Sequence, residues 1–359
     1  MQRYLKIFAI PLAVLFLATT GVAQDDDFQA QLEKLVGQNA TSYVRPLVTG
    51  TGIGLNSGVY NTADVHSLLG FDVTLNANVV TIPDKAKTYT FDTSALSNLT
   101  FTFNDPNGGD VDVTLDASQV YESLEDAPTI FGETGESGIS PNTTYAEQTI
   151  VSQIASETGM SETQVRNQMG NEIDSRVNQI PSVPVPPGFN IPAMPTASLQ
   201  ASLGLPFGTE AQVRYIPATA LNEDLGDFGL LGLGARISID QFIPVPFFPV
   251  DIAAGAFFQS VELGPVDIKS SIIHAEVSKS IPMLTAYGGF GLESSSLSAS
   301  YDYTDPNGNV VPVKVDVDGD NSFRTNVGLR LKLLLLTISA DYSIGEYNSV
   351  NAGVGLTFR

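Results

Sequence analysis

The sequence predicts an all-β fold: an antiparallel transmembrane β-barrel of about 12 strands, in the range 10–14, with a partly helical external insertion and a short N-terminal helix. Three observations predict it. Apolar residues recur with period 2 in segment after segment, which marks strands with one apolar face. These segments run about ten residues, the length a tilted strand needs to cross a bilayer. The connections between them alternate between tight and long, as barrel connections do.

Composition narrows the function classes. The chain has 359 residues, 39 of them acidic and 17 basic, for a net charge of −22. Such a chain is not expected to bind nucleic acid, because phosphate contacts need a basic surface. Cysteine is absent, so the chain has no disulfide, thiol nucleophile or Cys-based metal site.

Residues 1–23 read as a signal peptide, with Arg3 and Lys6 ahead of "IFAIPLAVLFLA" and small residues before Gln24. Residues 24–45 read as an N-terminal helical segment and possible plug. Asp25 to Asp27 suit a helix start, and Phe28, Leu32 and Leu35 share a face. Residues 46–359 are assigned to the barrel, with "GTGIGLNSGVY" as its first strand.

"FDVTLNANV" alternates from Phe71 to Val79 and is expected to descend into the "IPDK" turn. An ascending crossing is then needed between "KTYTF" and "LTFTF". Residues 105–195 are too polar to span and form a long loop insertion. Within it, 161–180 reads as an amphipathic helix with a Ser161–Gln164 capping box and an apolar face of Val165, Met169, Ile173 and Val177. "NDPNGGDVDVTLDAS" and "TDPNGNVVPVKVDVDGD" read as external hairpins. From Ala197 on, strands recur to the end. Their outward face should carry Leu233, Ile237, Ile252, Leu329, Ile338 and Val354.

The inward parity carries the candidate site. Arg214, Arg236, Asp240, Arg324, Arg330, Lys332 and Asp341 are expected on the lumen, as a solute-selective lining or a salt-bridged filling. A turn at Leu334–Leu335 would set Gly328 opposite Asp341. Pairing Ile344 with Val350 would set Gly353 opposite it on the other side, and Arg330 would then form an ion pair with Asp341.

Other motifs carry less. Asp316, Asp318 and Asp320 have the spacing of calcium ligands, but Asn321 stands where an EF-hand needs glycine, so a hairpin tip is expected. His66 and His274, the two histidines, have no nucleophile signature beside them. "GTGIG" lacks the lysine of a phosphate loop. No catalysis, metal or cofactor is expected.

The terminal stretch "NAGVGLTFR" places Ala352, Val354, Leu356 and Phe358 on one parity. It resembles the last strand of Gram-negative outer-membrane β-barrels, which the barrel assembly machinery reads, although here the aromatic is penultimate. More distantly the chain resembles the long-chain fatty-acid transporters of that membrane. Their Asn-Pro-Ala motif is absent, so their substrate does not carry over. The resemblance implies export to the cell outer membrane, contact with its lipid, and passive passage or binding of small apolar molecules. A non-transporting structural or surface-interaction barrel, and a secreted soluble β-protein, are the alternatives.

Overall fold

The computed structural model describes residues 38–104, 108–135, 137–222, 226–244, 249–264, 266–304 and 310–358. The expected signal peptide and most of the 24–45 segment lie outside them. In chain order the elements are α1 (Gln38–Leu55), β1 (Phe71–Thr81), β2 (Thr88–Phe91), β3 (Leu99–Asn104), β4 (Asp110–Leu115), α2 (Ala117–Val120), β5 (Leu124–Pro128), β6 (Ser137–Ile139), α3 (Thr143–Thr158), α4 (Glu162–Val177) and β7 (Val183–Val185). Ten strands follow: β8 (Ala193–Leu205), β9 (Thr209–Asn222), β10 (Gly226–Ser238), β11 (Asp251–Leu263), β12 (Val266–Ile281), β13 (Leu284–Thr304), β14 (Val310–Asp318), β15 (Phe323–Leu333), β16 (Leu336–Ile344) and β17 (Ser349–Phe358).

The chain forms two compact units. One takes in Val44–Ala86 and Phe189 onward; the other takes in the stretch ending at Tyr43 together with Lys87–Gly188.

The first unit is a closed antiparallel barrel. Its ten strands run in the order β1, β8, β9, β10, β11, β12, β13, β15, β16, β17, and β17 returns to β1. The closing seam pairs Phe71 with Phe358 and Val80 with Ser349. β14 stands outside the ring and pairs with the far half of β13, Ser296 opposite Asp318. β15 takes over the same edge after a short break, Leu292 opposite Phe323.

The strand number corrects the expected twelve to ten, and two segments account for the difference. "GTGIGLNSGVY" is the end of α1 and the turn after it. Residues 88–91 and 99–104 belong to two-stranded sheets of the second unit, β2 with β5 and β3 with β4. The direction of β1 changes as well. It is antiparallel to β8, which runs into the 206–208 turn, so β1 starts at the short-turn end and leads into the insertion.

Side-chain parity holds along the wall apart from a register shift in β10 at Phe228–Leu230. β17 alternates buried and exposed at every position, and β16 does the same in opposite phase. Leu233, Leu329, Ile338 and Val354 are exposed, and Ile237 and Ile252 share their outward parity. Each of the ten strands contributes at least one large exposed hydrophobic, such as Leu75, Leu199, Val213, Leu231, Phe258, Ile273, Phe290, Val327, Ile338 and Val354. The inward positions are polar: Asn76, Ser198, Gln212, Arg236, Gln259, His274, Glu293, Arg324, Ser339 and Asn351 are buried. This is an inside-out protein, polar within and apolar without.

The second unit has its own apolar core, including Phe91, Phe103, Val113, Ile150, Ile154, Val165 and Ile173. α4 starts at the expected capping box, Ser161 with Gln164, and buries Val165, Met169, Ile173 and Val177. Both expected hairpins are present, as β3–β4 and β13–β14, with 105–107 and 305–309 of their tips outside the described residues.

Candidate functional site: a polar lumen filled by the chain itself

The residues just before β1 occupy the lumen. α1 ends at Leu55, the chain turns at Gly58 with φ 66°, and it then runs on to β1. A glycine-rich stretch is a poor helix by propensity, since each glycine costs about 1 kcal/mol relative to alanine. Here the close approach of the wall decides. A Cβ on Gly52 would collide with Ser295 of β13, and one on Gly54 would stand 2.6 Å from Thr196 Cγ2 of β8. β13 and β8 lie five strands apart in the ring of ten. The helix is therefore wedged between opposite walls, and its glycines make the fit possible.

The backbone of this plug needs partners. α1 has no basic residue in its last turn to meet the negative end of its dipole. The turn after it answers the carbonyls of Gly52, Ile53 and Gly54, through Asn56 N, Ser57 Oγ and Ser57 N. Arginines of the wall supply the rest. Arg214 Nη1 donates to the Leu55 carbonyl at 2.5 Å and Nη2 to that of Ser57 at 2.8 Å. Arg324 Nη2 donates to the Ile53 carbonyl at 2.7 Å, and Arg236 Nη1 to that of Thr62 at 2.8 Å. Gln200 and Gln212 both donate to the Val59 carbonyl at 3.0 Å. Arg214 is fully buried. It also donates to Gln200 Oε1 at 3.0 Å and lies 5.0 Å from the centroid of the Phe257 ring. That ring packs with Val59, Tyr60 and Ile272 in a small apolar island within the lumen.

Around Arg236 the charges form a chain. Its Nη2 lies 2.7 Å from Glu210 Oε1 and its Nη1 2.7 Å from Glu276 Oε1. Glu210 Oε2 meets His66 Nδ1 at 2.7 Å, and Glu276 Oε2 meets His274 Nδ1 at 2.5 Å. His66 Nε2 reaches Thr357 Oγ1 at 3.1 Å, and Tyr60 stacks on His274 at 4.9 Å between centroids. Arg324 Nε pairs with Glu293 at 3.2 Å. Charges this deeply buried persist only when paired and hydrogen-bonded, and these are. Two cavities between plug and wall measure about 10 Å³ each, about the room for a single water.

The expected lumen residues divide as follows. Arg214, Arg236, Arg324, Arg330 and Asp341 are inward and buried, and the first three hold the plug. Lys332 shares their parity and is half-buried. Asp240 is not on the lumen. It sits in the short helical turn Asp240–Phe242, where Oδ1 accepts from Ser238 Oγ at 3.1 Å and from the Ile252 amide at 3.2 Å.

The expected register is half right. Gly328 faces Asp341 and Leu333 faces Leu336. On the other side Asp341 faces Asn351, and Gly353 faces Ser339, a slip of two residues. Asp341 Oδ2 accepts from Tyr287 Oη at 3.0 Å and from Asn351 Nδ2 at 2.9 Å. Gly328 does make room, since a Cβ there would stand 2.5 Å from the Tyr287 ring.

The partners that sequence reading missed are Glu210, Glu293, Tyr60 and Tyr287, and it did not place His66 in the lumen. Glu210 shares the parity of Arg214, which is the available signal. The plug residues His66 and Tyr60 gave none.

Outside the lumen, Asp316 accepts from Ser298 Oγ at 2.7 Å and pairs with Lys314 at 3.0 Å, while Asp320 lies 3.8 Å from Arg45. Among the described residues no group of three His, Asp or Glu side chains is placed to hold a metal ion.

A family model described as "Family of unknown function (DUF6588)" matches residues 1–358. No curated protein matches the chain. Among solved structures, OmpT, an outer membrane protein of Vibrio cholerae, is similar at 10% identity and TM-score 0.25, over 45% of this chain and 55% of that one; the chain thus spans about half of that relative. The KdgM porin is similar at 13% identity and TM-score 0.23, over 45% and 92%. The outer membrane protease OmpT from Escherichia coli is similar at 9% identity and TM-score 0.25, over 84% and 99%. Likenesses this loose transfer no function, and the resemblance to fatty-acid transporters finds no support in them.

Proposed function

The chain belongs to this family of unknown function, DUF6588, and we propose that it is an outer-membrane β-barrel closed by its own residues 48–66, an anchoring barrel rather than an open pore. The apolar girdle supports the membrane assignment. A surface this apolar on all sides aggregates in water, whereas lipid covers it without cost. No helix among the described residues is long and apolar enough to cross a membrane. One observation carries the anchoring reading: wall arginines bind the plug's backbone carbonyls, and the two cavities lined by the plug's Gly54–Tyr60 stretch measure about 10 Å³ each. In this reading the His66–Glu210 and His274–Glu276 pairs are structural contacts between plug and wall and within the wall.

A liposome swelling assay with graded solutes tests it. Proteoliposomes of the folded chain are expected to swell no faster than empty liposomes, even with the smallest solute. Size-dependent swelling would sink the anchoring reading.

A second reading, binding of a small apolar molecule, is favoured by a groove of about 510 Å³ on the outer wall. Leu231, Leu233 and Phe258 line one side of it, and Lys269, Ser271 and Ser294 the other. Saturable binding of a fluorescent acyl probe that Phe258→Ser abolishes would support this reading, and binding unchanged by that substitution would remove it.

A further inference from the structure

Resting on the reading that the girdle faces lipid, we infer that the short-turn end of the barrel is itself sunk in the lipid, its turn tips inserted into the headgroup and acyl boundary rather than projecting into water. Three tips carry the inference. Leu69, Phe207 and Leu334 have φ of 65°, 63° and 58°, and their side chains are 72%, 90% and 91% exposed. The left-handed region crowds the Cβ of an L residue, and turns that need it normally take Gly, Asn or Asp. Here the chain accepts that strain at three turns, and each time it presents a bulky apolar side chain outward. The other two connections at this end do the same without strain: Phe242, in the longer 239–250 connection, is 68% exposed, and Met283, in the turn after β12, is 53% exposed. A backbone outlier repeated with one kind of side chain points to a shared use.

The rim is continuous with the girdle. Phe71 stacks on Phe358 at 4.7 Å beside Leu69, and Leu333, Leu335 and Leu336 flank Leu334. At the opposite edge β12 and β13 turn polar on their outward face, with Lys269, Ser271, Ser294 and Ser296, while Phe323, Ile344 and Val350 keep β15, β16 and β17 apolar to their ends. At the short-turn end the apolar side chains run past the strands onto the turn tips themselves, so lipid is the occupant that this rim fits.

The chain lacks tryptophan, so single tryptophans report position directly. Phe207→Trp, Met283→Trp and, in the middle of the girdle, Val354→Trp would each be folded into vesicles containing brominated lipid. The inference expects blue-shifted emission and strong quenching by brominated lipid for all three, with the two rim tryptophans quenched best by bromines near the headgroup. If Val354→Trp is quenched by lipid while the rim tryptophans emit as in water and are quenched by acrylamide, the rim does not insert. A protein partner would then become the candidate occupant, and the girdle reading would stand. If Val354→Trp also escapes lipid quenching, both readings fall.

Discussion

Arg214 Nη1 lies 2.5 Å from the backbone carbonyl of Leu55, tying strand β9 to the last turn of the helix inside the barrel. The guanidinium takes the last helical carbonyl, beyond those that Asn56 and Ser57 answer locally, and through Nη2 it also holds that of Ser57. Arg214→Met keeps the volume but strands several buried acceptors, so it should cost about 3 kcal/mol or more. Urea unfolding followed by heat-modifiable gel migration reads this loss. In planar bilayers the double variant Arg214→Met/Arg324→Met should show flickering conductance that the parent chain lacks.

The fit of helix to wall is tested at Gly54. Alanine there would place its Cβ 2.6 Å from Thr196 Cγ2 and should destabilise the fold by about 1–3 kcal/mol. Thr196→Ala removes the opposing atoms, so the double variant should recover much of the loss. A coupling energy of about 1 kcal/mol in the double-mutant cycle would confirm contact, and strictly additive effects would place the helix off the wall.

Glu210 sits between Arg236, at 2.7 Å, and His66, at 2.7 Å. Glu210→Ala leaves a buried guanidinium short of one carboxylate and unlatches the plug residue His66. The expected cost is about 3–5 kcal/mol, measured by the same unfolding assay. A loss below about 1 kcal/mol, as for an exposed pair, would mean that water reaches the network.

Asp341 is a structural acceptor for Tyr287 and Asn351. Asp341→Ala leaves both donors unpaired and should cost about 2 kcal/mol. With the lumen filled, any residual ion current should keep its selectivity, and a large change in reversal potential would make Asp341 a pore-lining charge.

Much of this was legible in the sequence. Period 2 fixes which face of β15 holds Arg330 and which holds Leu329, because a one-residue slip would turn every side chain over. The capping box of α4 is local chemistry and reads directly. The plug was not legible. "GTGIGLNSGVY" alternates small and apolar residues, and its glycines argue against helix, so it reads as a strand. Only the narrow lumen, filled by polar side chains of the wall, makes a helix the way to satisfy its backbone. The β16–β17 slip has a similar origin. Either register keeps parity, and the buried contacts of Asn351 and Ser339 decide between them. The lumen network depended on the plug, so its arginines could be listed from parity while their partners could not.

The central claim, that the lumen is closed by the chain's own residues, is tested most directly by cysteine accessibility at Val59. Val59 is 2% exposed and packs on Phe257 and Ile272, and the chain has no cysteine of its own. Val59→Cys, folded in liposomes, would be treated with a water-soluble maleimide carrying a bulky tag, beside the exposed control Ser322→Cys. A closed lumen predicts full labelling of the control, none at position 59 while the barrel is folded, and complete labelling there after heating in detergent. Rapid labelling of folded Val59→Cys would mean that water and solute reach the centre of the barrel, and would contradict the account.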